Sequence, residues 1–372
     1  MKIGYINHYY DIDTLVDNYL SRYPTIYGWC KSLRDLGLDV NVYQRFSKDY
    51  FFEKEGVKYC LIKDGKRSDL KSYQNSSLFH SKISDDKYDI IHVNSFIYSY
   101  QAFLLKKRNS SSKIVIQHHA EIPHKRLKRF FLKHLSSSAD GFIFTSNDIY
   151  NDWVKTNSVF SGKNVAEIME SSSNFTYSNR IKARSKSGMV GEPILLWVGR
   201  LNENKDPITV IKGFSKLLQD FPKAKLYMIY SEDKLKEQVS SIINQSGSLK
   251  NSVKLLGFIN HIKLDDYYNS ADYFVLGSHY EGSGYSLVEA MSCGVVPIVT
   301  NIPSFRMITN NGQIGGLWNC GDIKSFYGTA KRVFNSPLAV ESKKALDFFS
   351  ANVSYPAIGM KAKKFYETLT DK

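Results

Sequence analysis

The sequence predicts an α/β protein built of two Rossmann-like domains that face a central cleft, and three observations lead there. The chain has 372 residues, room for two domains of ordinary size, each with its own core. Short β-branched runs alternate with longer stretches of helical period, the pattern of strands joined by crossover helices. These runs fall into two series separated by a polar stretch.

In the first series the runs are KIGYIN (2–7), DVNVYQ (39–44), YDIIHVN (88–94), KIVIQHH (113–119) and GFIFTS (141–146). In the second they are ILLWVG (194–199), KLYMIY (225–230), SVKLLGF (252–258), YFVLGS (273–278) and VVPIVT (295–300). None alternates polar with apolar, so both faces are expected to be covered, as in a parallel sheet between helices. The stretch SSSNFTYSNRIKARSKSGMVGEP (171–193) is rich in Ser and charge and ends in Gly and Pro, which reads as a linker. The expected division is a domain over 1–175, a second over 190–355, and a helix over 356–372 that packs back on the first. Ile358, Met360, Ala362, Phe365 and Leu369 are its candidate packing positions. Open α/β sheets bind ligands at the carboxyl ends of their strands, so two facing domains would share a cleft there.

Hydrophobic residues make up 42% and aromatic residues 14% of the chain, which excludes a disordered protein. No apolar run approaches the roughly 18 residues a membrane span needs, and MKIGYINHYY lacks a signal-peptide core, so a cytoplasmic protein is expected. Cys30, Cys60, Cys293 and Cys320 form no C-x-x-C pair and read as reduced, mostly buried thiols. The formal net charge of +14 favours anionic partners: phosphorylated small molecules, an anionic membrane surface or nucleic acid.

The stretch HYEGSGYSLVEAMSCGVVPIVTN (279–301) carries the chemistry. Ser286 and Glu289 have the spacing of a capping box, Leu287, Val288, Ala290 and Met291 open a buried helix, and Gly294 ends it. Gly282 and Gly284, just before a helix N-terminus, let the backbone approach a phosphate closely, with Glu281 at the mouth of the same loop. After ILLWV comes GRLNENKDP (199–207), where Arg200 and Lys205 stand beyond a strand's carboxyl end and are placed to bind phosphate oxygens.

WVGRLNENKDP, the run from LLGFI to TNIPSF, and GGLWNCGD resemble the C-terminal half of the family 4 retaining glycosyltransferases of GT-B fold, over roughly residues 194 to 322. Glu281 and Glu289 match that family's E-x7-E pattern. The resemblance implies that Arg200 and Lys205 hold the donor's diphosphate and that Glu281 contacts the donor sugar. It further implies that Gly282, Ser283, Gly284, Tyr285 and Ser286 line sugar and phosphate, and that Glu289 takes the ribose hydroxyls. KIVIQHHAEIP resembles the family's strand and following histidine, with His119 aligning better than His118 and expected near the transferred sugar. His92 and Asn94 lie on another familiar strand, Asn94 where relatives often carry a second histidine.

The implied reaction moves a sugar, with retention, from a UDP- or GDP-linked donor to a hydroxyl acceptor, a lipid-linked or cell-surface glycan intermediate. No cofactor or metal beyond the donor is implied. INHYYDIDTL lacks the glycine loop relatives carry after the first strand, and SEDK stands where relatives often have Gly-x-Gly, so base recognition does not carry over. Asp11-Ile12-Asp13 spells the metal signature of the other large glycosyltransferase fold, a short match expected by chance. HKRLKRFFLKH (124–134) sets Leu127, Phe130, Phe131 and His134 on one side of a helix and Lys125, Arg126, Lys128, Arg129 and Lys133 around the rest. Such a helix either packs on the sheet or lies on an anionic membrane, and the second reading is the expectation. Two alternatives share the composition: a GT-B sugar-nucleotide epimerase, and a basic module binding nucleic acid or membrane without catalysis. No nucleic-acid-binding motif is present, and nucleic acid is not an expected partner.

Overall fold

Runs apolar on both sides need cover on both sides, and each of the two sheets has it. A computed structural model describes residues 1–11, 14–66, 68–71, 73–122 and 126–371, with the backbone alone at 126–128. The chain divides into two units, one of Met1–Ser172 together with the chain from Tyr355 onward, the other Ser173–Ser354.

The first unit holds an eight-stranded sheet. Its strands are β1 (Lys2–Asp11), β2 (Asp39–Phe46), β3 (Tyr50–Lys54), β4 (Val57–Ile62), β5 (Ile90–Asn94), β6 (Lys113–Gln117), β7 (Gly141–Phe144) and β8 (Asn164–Glu167). Their order is β3-β4-β2-β1-β5-β6-β7-β8, parallel throughout except that β3 runs antiparallel to β4. Glu55 (φ 51°) and Gly56 (φ 76°) turn that hairpin, both left-handed as a tight two-residue loop requires. Sequence reading missed β3 and β4 because β3 has no buried face, and missed β8 because it is a short, half-exposed edge. β1 runs four residues past its expected end, to Asp11, through a register shift against β2 between Asn7 and Tyr10.

The second unit holds six parallel strands: β9 (Ile194–Gly199), β10 (Lys225–Tyr230), β11 (Val253–Gly257), β12 (Tyr273–Leu276), β13 (Val296–Thr300) and β14 (Gly316–Trp318). The order β11-β10-β9-β12-β13-β14 reverses direction between β9 and β12. Loops leaving those two strands part to opposite sides, which opens a crevice at their carboxyl ends. The first sheet has the same switch between β1 and β5.

Part of the stretch read as a linker is helical. Residues Arg180–Ser187 form a helix, capped by the Asn179 side chain and ended by Gly188 in the left-handed region. Its polar character has a structural purpose: Arg184 makes two bonds of 2.9 and 2.8 Å to the Asp272 carboxylate and a third to the Ser270 carbonyl. The division between units falls at Ser172–Ser173, inside that stretch.

The helix Tyr355–Thr370 lies in the first unit and packs on the helix Pro24–Asp35. Ile358, Ala362, Phe365 and Leu369 are buried, whereas Met360, also expected to pack, is exposed. A side chain at Gly28 would meet the Tyr355 ring at 2.3 Å, so the approach depends on that glycine. Tyr366 reaches into the sheet, its hydroxyl 2.6 Å from Nδ1 of His92, whose Nε2 lies 3.0 Å from Gln117 Oε1. The imidazole donates to Gln117 and accepts from Tyr366, a pattern that needs the neutral ring, and burial pushes its pKa down to about 3. His92 is thus a core group.

Replacing Tyr366 by Phe leaves the Nδ1 lone pair buried and unmatched. A loss of about 1–3 kcal/mol in stability is expected from urea unfolding. An unchanged midpoint would show that the helix is held by its apolar face alone.

Candidate active site

The second unit's crevice is built by two loops that lock to each other. After β9 the chain passes Arg200 and enters a short 3-10 turn, Glu203–Lys205, whose Asn202 side chain accepts from the Lys205 amide. Asn204 then bridges to the loop after β12: its side-chain amide donates to the Tyr280 carbonyl at 3.0 Å and its Oδ1 accepts from the Tyr280 amide at 3.1 Å. The Asn204 carbonyl takes the His279 amide at 2.8 Å. Gly277 lets the loops close, since a Cβ there would lie 2.9 Å from the Asp206 carbonyl oxygen.

This lock sets Lys205 against Glu281. Lys205 is buried, and its Nζ pairs with Glu281 Oε1, which also accepts from Ser278 Oγ at 2.6 Å. Arg200 is not part of that pair. Its side chain is about half exposed, with Nη1 3.5 Å from Glu232 of the SEDK stretch.

Beyond Glu281 the chain crosses buried Gly282, half-buried Ser283 and buried Gly284 into the helix Tyr285–Ser292. Gly284 is the N-cap residue, left-handed at φ 60°, and a Cβ there would press on the Phe305 ring at 2.7 Å. The capping box is therefore a misreading: Ser286 sits inside the first turn, and no side chain caps the helix. Glu289 faces elsewhere. It is buried, with His261 Nε2 at 2.5 Å from one oxygen and the Tyr268 hydroxyl donating to the other at 2.8 Å. His261 stacks between Phe175 and Tyr285, ring centres 5.0 and 6.1 Å away. The Glu289 hydrogen bond raises the His261 pKa above its ordinary value, against partial burial. Gly294, left-handed at φ 70°, follows the helix, and the Val295 amide closes back on the Ala290 carbonyl at 3.0 Å.

In the first unit the two histidines after β6 separate by environment. His118 is fully buried, stacked on Phe144 at 5.0 Å and edge-on to Trp153 at 5.3 Å. His119 is partly exposed, with Nδ1 2.8 Å from a Glu170 carboxylate oxygen. Asn94 accepts from the Tyr5 hydroxyl at 3.2 Å.

Asp11 of the D-x-D match accepts from the Thr14 amide and the Tyr23 hydroxyl, at 3.0 and 2.6 Å, while Ile12 and Asp13 lie outside the described residues. Among the described residues no three His, Cys, Asp or Glu side chains gather as metal ligands. Cys30 and Cys293 are buried and Cys60 half-buried, but Cys320 is exposed, contrary to the expectation for the thiols as a group. Of the basic stretch 124–134, His124 and Lys125 lie outside the described residues, as do the side chains of Arg126, Leu127 and Lys128. The helix runs Arg126–Ser136, and on it Phe130 and Phe131 stand 58% and 63% exposed, so these two rings do not pack on the sheet. Sequence reasoning missed Asn204, Ser278, His261, Tyr268, Glu121 and Glu170, which belong to no motif or periodic pattern in the sequence.

The fold defined by these sheets is that of the GT-B proteins. Anabaena HepE, solved in complex with UDP and glucose, superposes over 100% of both chains with a TM-score of 0.70 at 16% identity. Two family profiles match in tandem, Glycosyltransferase Family 4 over residues 25–163 and Glycosyl transferases group 1 over 179–347. The chain belongs to the family 4 glycosyltransferases. Mannosylfructose-phosphate synthase of Agrobacterium fabrum is 35% identical over 129 residues, 33% of this chain and 28% of that protein. The GDP-mannose:cellobiosyl-diphosphopolyprenol alpha-mannosyltransferase of Xanthomonas campestris is 26% identical over 235 residues, 60% of this chain and 59% of its own length. The matched stretches thus span less than two thirds of either relative.

Lys205→Ala should lower nucleoside diphosphate affinity and kcat/KM by roughly ten- to hundredfold, the worth of one charge-assisted contact of about 1.5–3 kcal/mol. Arg200→Ala should cost less, because that side chain is half in water. Isothermal titration with UDP and GDP reads both, and two unaffected variants would remove this crevice as the diphosphate site.

Glu289→Gln separates a ligand role from a structural one. Loss of nucleotide affinity with a modest fall in Tm is the expected outcome. A lower Tm with unchanged affinity would leave Glu289 as the partner of His261 and Tyr268 only.

Proposed function

We propose that this protein is a retaining, metal-independent glycosyltransferase that moves a sugar from a UDP- or GDP-linked donor to a hydroxyl of a lipid-linked or cell-surface glycan intermediate, working at the cytoplasmic face of a membrane. The observation that carries the reading is the convergence of Lys205, Glu281 and the Gly284-led helix at the β9/β12 switch. A donor diphosphate leaves as an anion, and a cation fixed beside a helix N-terminus is preorganised to stabilise it. With Lys205 and Arg200 as the cations, departure needs no divalent ion, and retention requires the acceptor hydroxyl to be held on the face of the sugar from which the diphosphate leaves. Glu281 would accept from hydroxyls of the sugar, and Glu289 from those of the ribose.

Support for the donor class comes from HepE, whose crystals held UDP and glucose, and for the acceptor class from the Xanthomonas relative, named for a diphosphopolyprenol substrate. The net charge of +14 suits both. Support for a membrane surface comes from exposed Phe130 and Phe131 on a helix bearing Arg129 and Lys133. Such a helix inserts rings at the headgroup level while its cations meet anionic lipid. Among the described residues no helix is long and apolar enough to cross a membrane.

The test is turnover of UDP-glucose, UDP-galactose and GDP-mannose with and without a polyprenyl-diphosphate-linked sugar, in EDTA, with the product's anomeric configuration read by NMR. Transfer to the acceptor with retention is expected. Turnover restored only by Mg²⁺ or Mn²⁺ would overturn metal independence, and interconversion of donors without transfer would make the protein an epimerase. In the same preparation, phosphatidylglycerol vesicles should retain the protein at low salt and release it as the Debye length falls below about 10 Å. Indifference to vesicles at low salt would remove the membrane from the reading.

A further inference from the structure

His119 is held from two sides by carboxylates. Its own amide donates to Glu121 Oε2 at 2.5 Å, while Glu121 Oε1 accepts from the Ser95 hydroxyl at 2.5 Å and the Phe96 amide at 2.8 Å. The two turns that Glu121 ties together each contain a left-handed residue that is not glycine: Ser95 after β5, at φ 89°, and Ala120 after β6, at φ 60°. Left-handed backbone at such residues costs of order 1 kcal/mol or more and persists where its surroundings hold it. Here one carboxylate with three donors does so. The second carboxylate, Glu170, comes from the segment just beyond β8 and stands 2.8 Å from Nδ1 of the ring. The far nitrogen, Nε2, is buried without a hydrogen-bond partner among the described residues.

We propose that Glu121 and Glu170 are positioning residues for His119: Glu121 fixes the backbone, and Glu170 holds the ring charged, with Nε2–H offered as a hydrogen-bond donor to an oxygen of a substrate that reaches the carboxyl end of the first unit's sheet. The inference rests on the glycosyltransferase reading for the identity of that oxygen, on the geometry for the tautomer, and on the two carboxylates beside the ring for its charge. A carboxylate 2.8 Å from Nδ1 places a proton there, and the two carboxylates beside the ring favour a second proton on Nε2, which makes the ring a cation. A cation with a free donor cannot accept a proton, so His119 acts as an electrostatic donor and not as a general base. The charged and titratable groups facing it are Glu170, Glu121 with His118 on its own turn, and His92 on β5. Burial works against the charge, but the attraction of Glu170, with Glu121 behind it, outweighs burial and raises the pKa.

The direct experiment is a pH titration of the histidine ring resonances by NMR in the whole protein, with the His119 signal assigned through His119→Gln. In the wild type the His119 midpoint should lie above the ordinary value of about 6.5. In Glu170→Gln it should fall by at least about one unit, the effect of losing an opposite charge in contact. A wild-type midpoint at or below the ordinary value overturns the proposal, even if the variant does not fold. So does a Glu170→Gln midpoint that stays in place.

With UDP-glucose as the probe, Glu170→Gln should lower kcat with little change in KM, and the deficit should grow from pH 6 to pH 8 as the unsupported ring loses its proton. Glu121→Gln, which keeps the hydrogen-bonding shape and removes only the weaker of the two attractions, should move the alkaline limb of kcat to lower pH by less than Glu170→Gln does. An equal loss at every pH with a lowered Tm would mark Glu170 as scaffold and overturn its role. Wild-type protein that turns over no nucleotide sugar would sink the glycosyltransferase reading instead, and the titration then decides the ring's charge by itself.

Discussion

The reciprocal amide bonds between Asn204 and Tyr280 are the constraint on which the second unit's chemistry depends. Two loops leaving adjacent strands at a topological switch diverge by default. Here one asparagine uses its donor and acceptor together to hold the other loop's backbone, and Gly277 removes the side chain that would keep them apart. Only then can Lys205 and Glu281 share a nearly buried contact, at 11% and 14% exposure. A pair so sheltered from water interacts more strongly than one on the surface, and neither partner can be removed without stranding the other.

The same economy runs through the first unit. Glu121 answers three donors at the ends of two strands, and Glu170 answers the ring between them. Below, His92 and Tyr366 carry a polar link through the core that a neutral imidazole satisfies. Several buried polar atoms have no hydrogen-bond partner among the described residues, and one of them, Nε2 of His119, lies in a turn held by strained backbone.

Strands apolar on both faces were legible, and so was the division into two series, because burial leaves a direct mark on composition. Arg200, Lys205, Glu281 and Glu289 were singled out together because their spacing around glycines is a pattern in one dimension, yet only Lys205 and Glu281 meet, while Arg200 lies by Glu232 and Glu289 by His261 and Tyr268. What escaped was written in three. β3 and β8 expose a face, so they lack the apolar run by which strands are found. Arg180 to Ser187 looked like a linker because its contacts are ionic, and Asp272, its anchor, is nearly ninety residues away. Glu289 looked like a helix cap because the spacing fits one. The backbone chose Gly284 instead, freeing the carboxylate for His261 and Tyr268.

The helix Tyr355–Thr370 gives the fold an order in time. Its groove, over the helix Pro24–Asp35 and His92, belongs to a unit whose strands are all made before residue 168, yet the helix that fills it is made after the whole second unit. On the ribosome the second unit can therefore finish while the first still shows an open apolar trough. At roughly 5–20 residues per second, the 182 residues of the second unit hold that trough open for about ten seconds or more. The first unit is thus the one that needs protection during synthesis, and a chain stopped short of Tyr355 would display the trough permanently, as a substrate for chaperones and proteases.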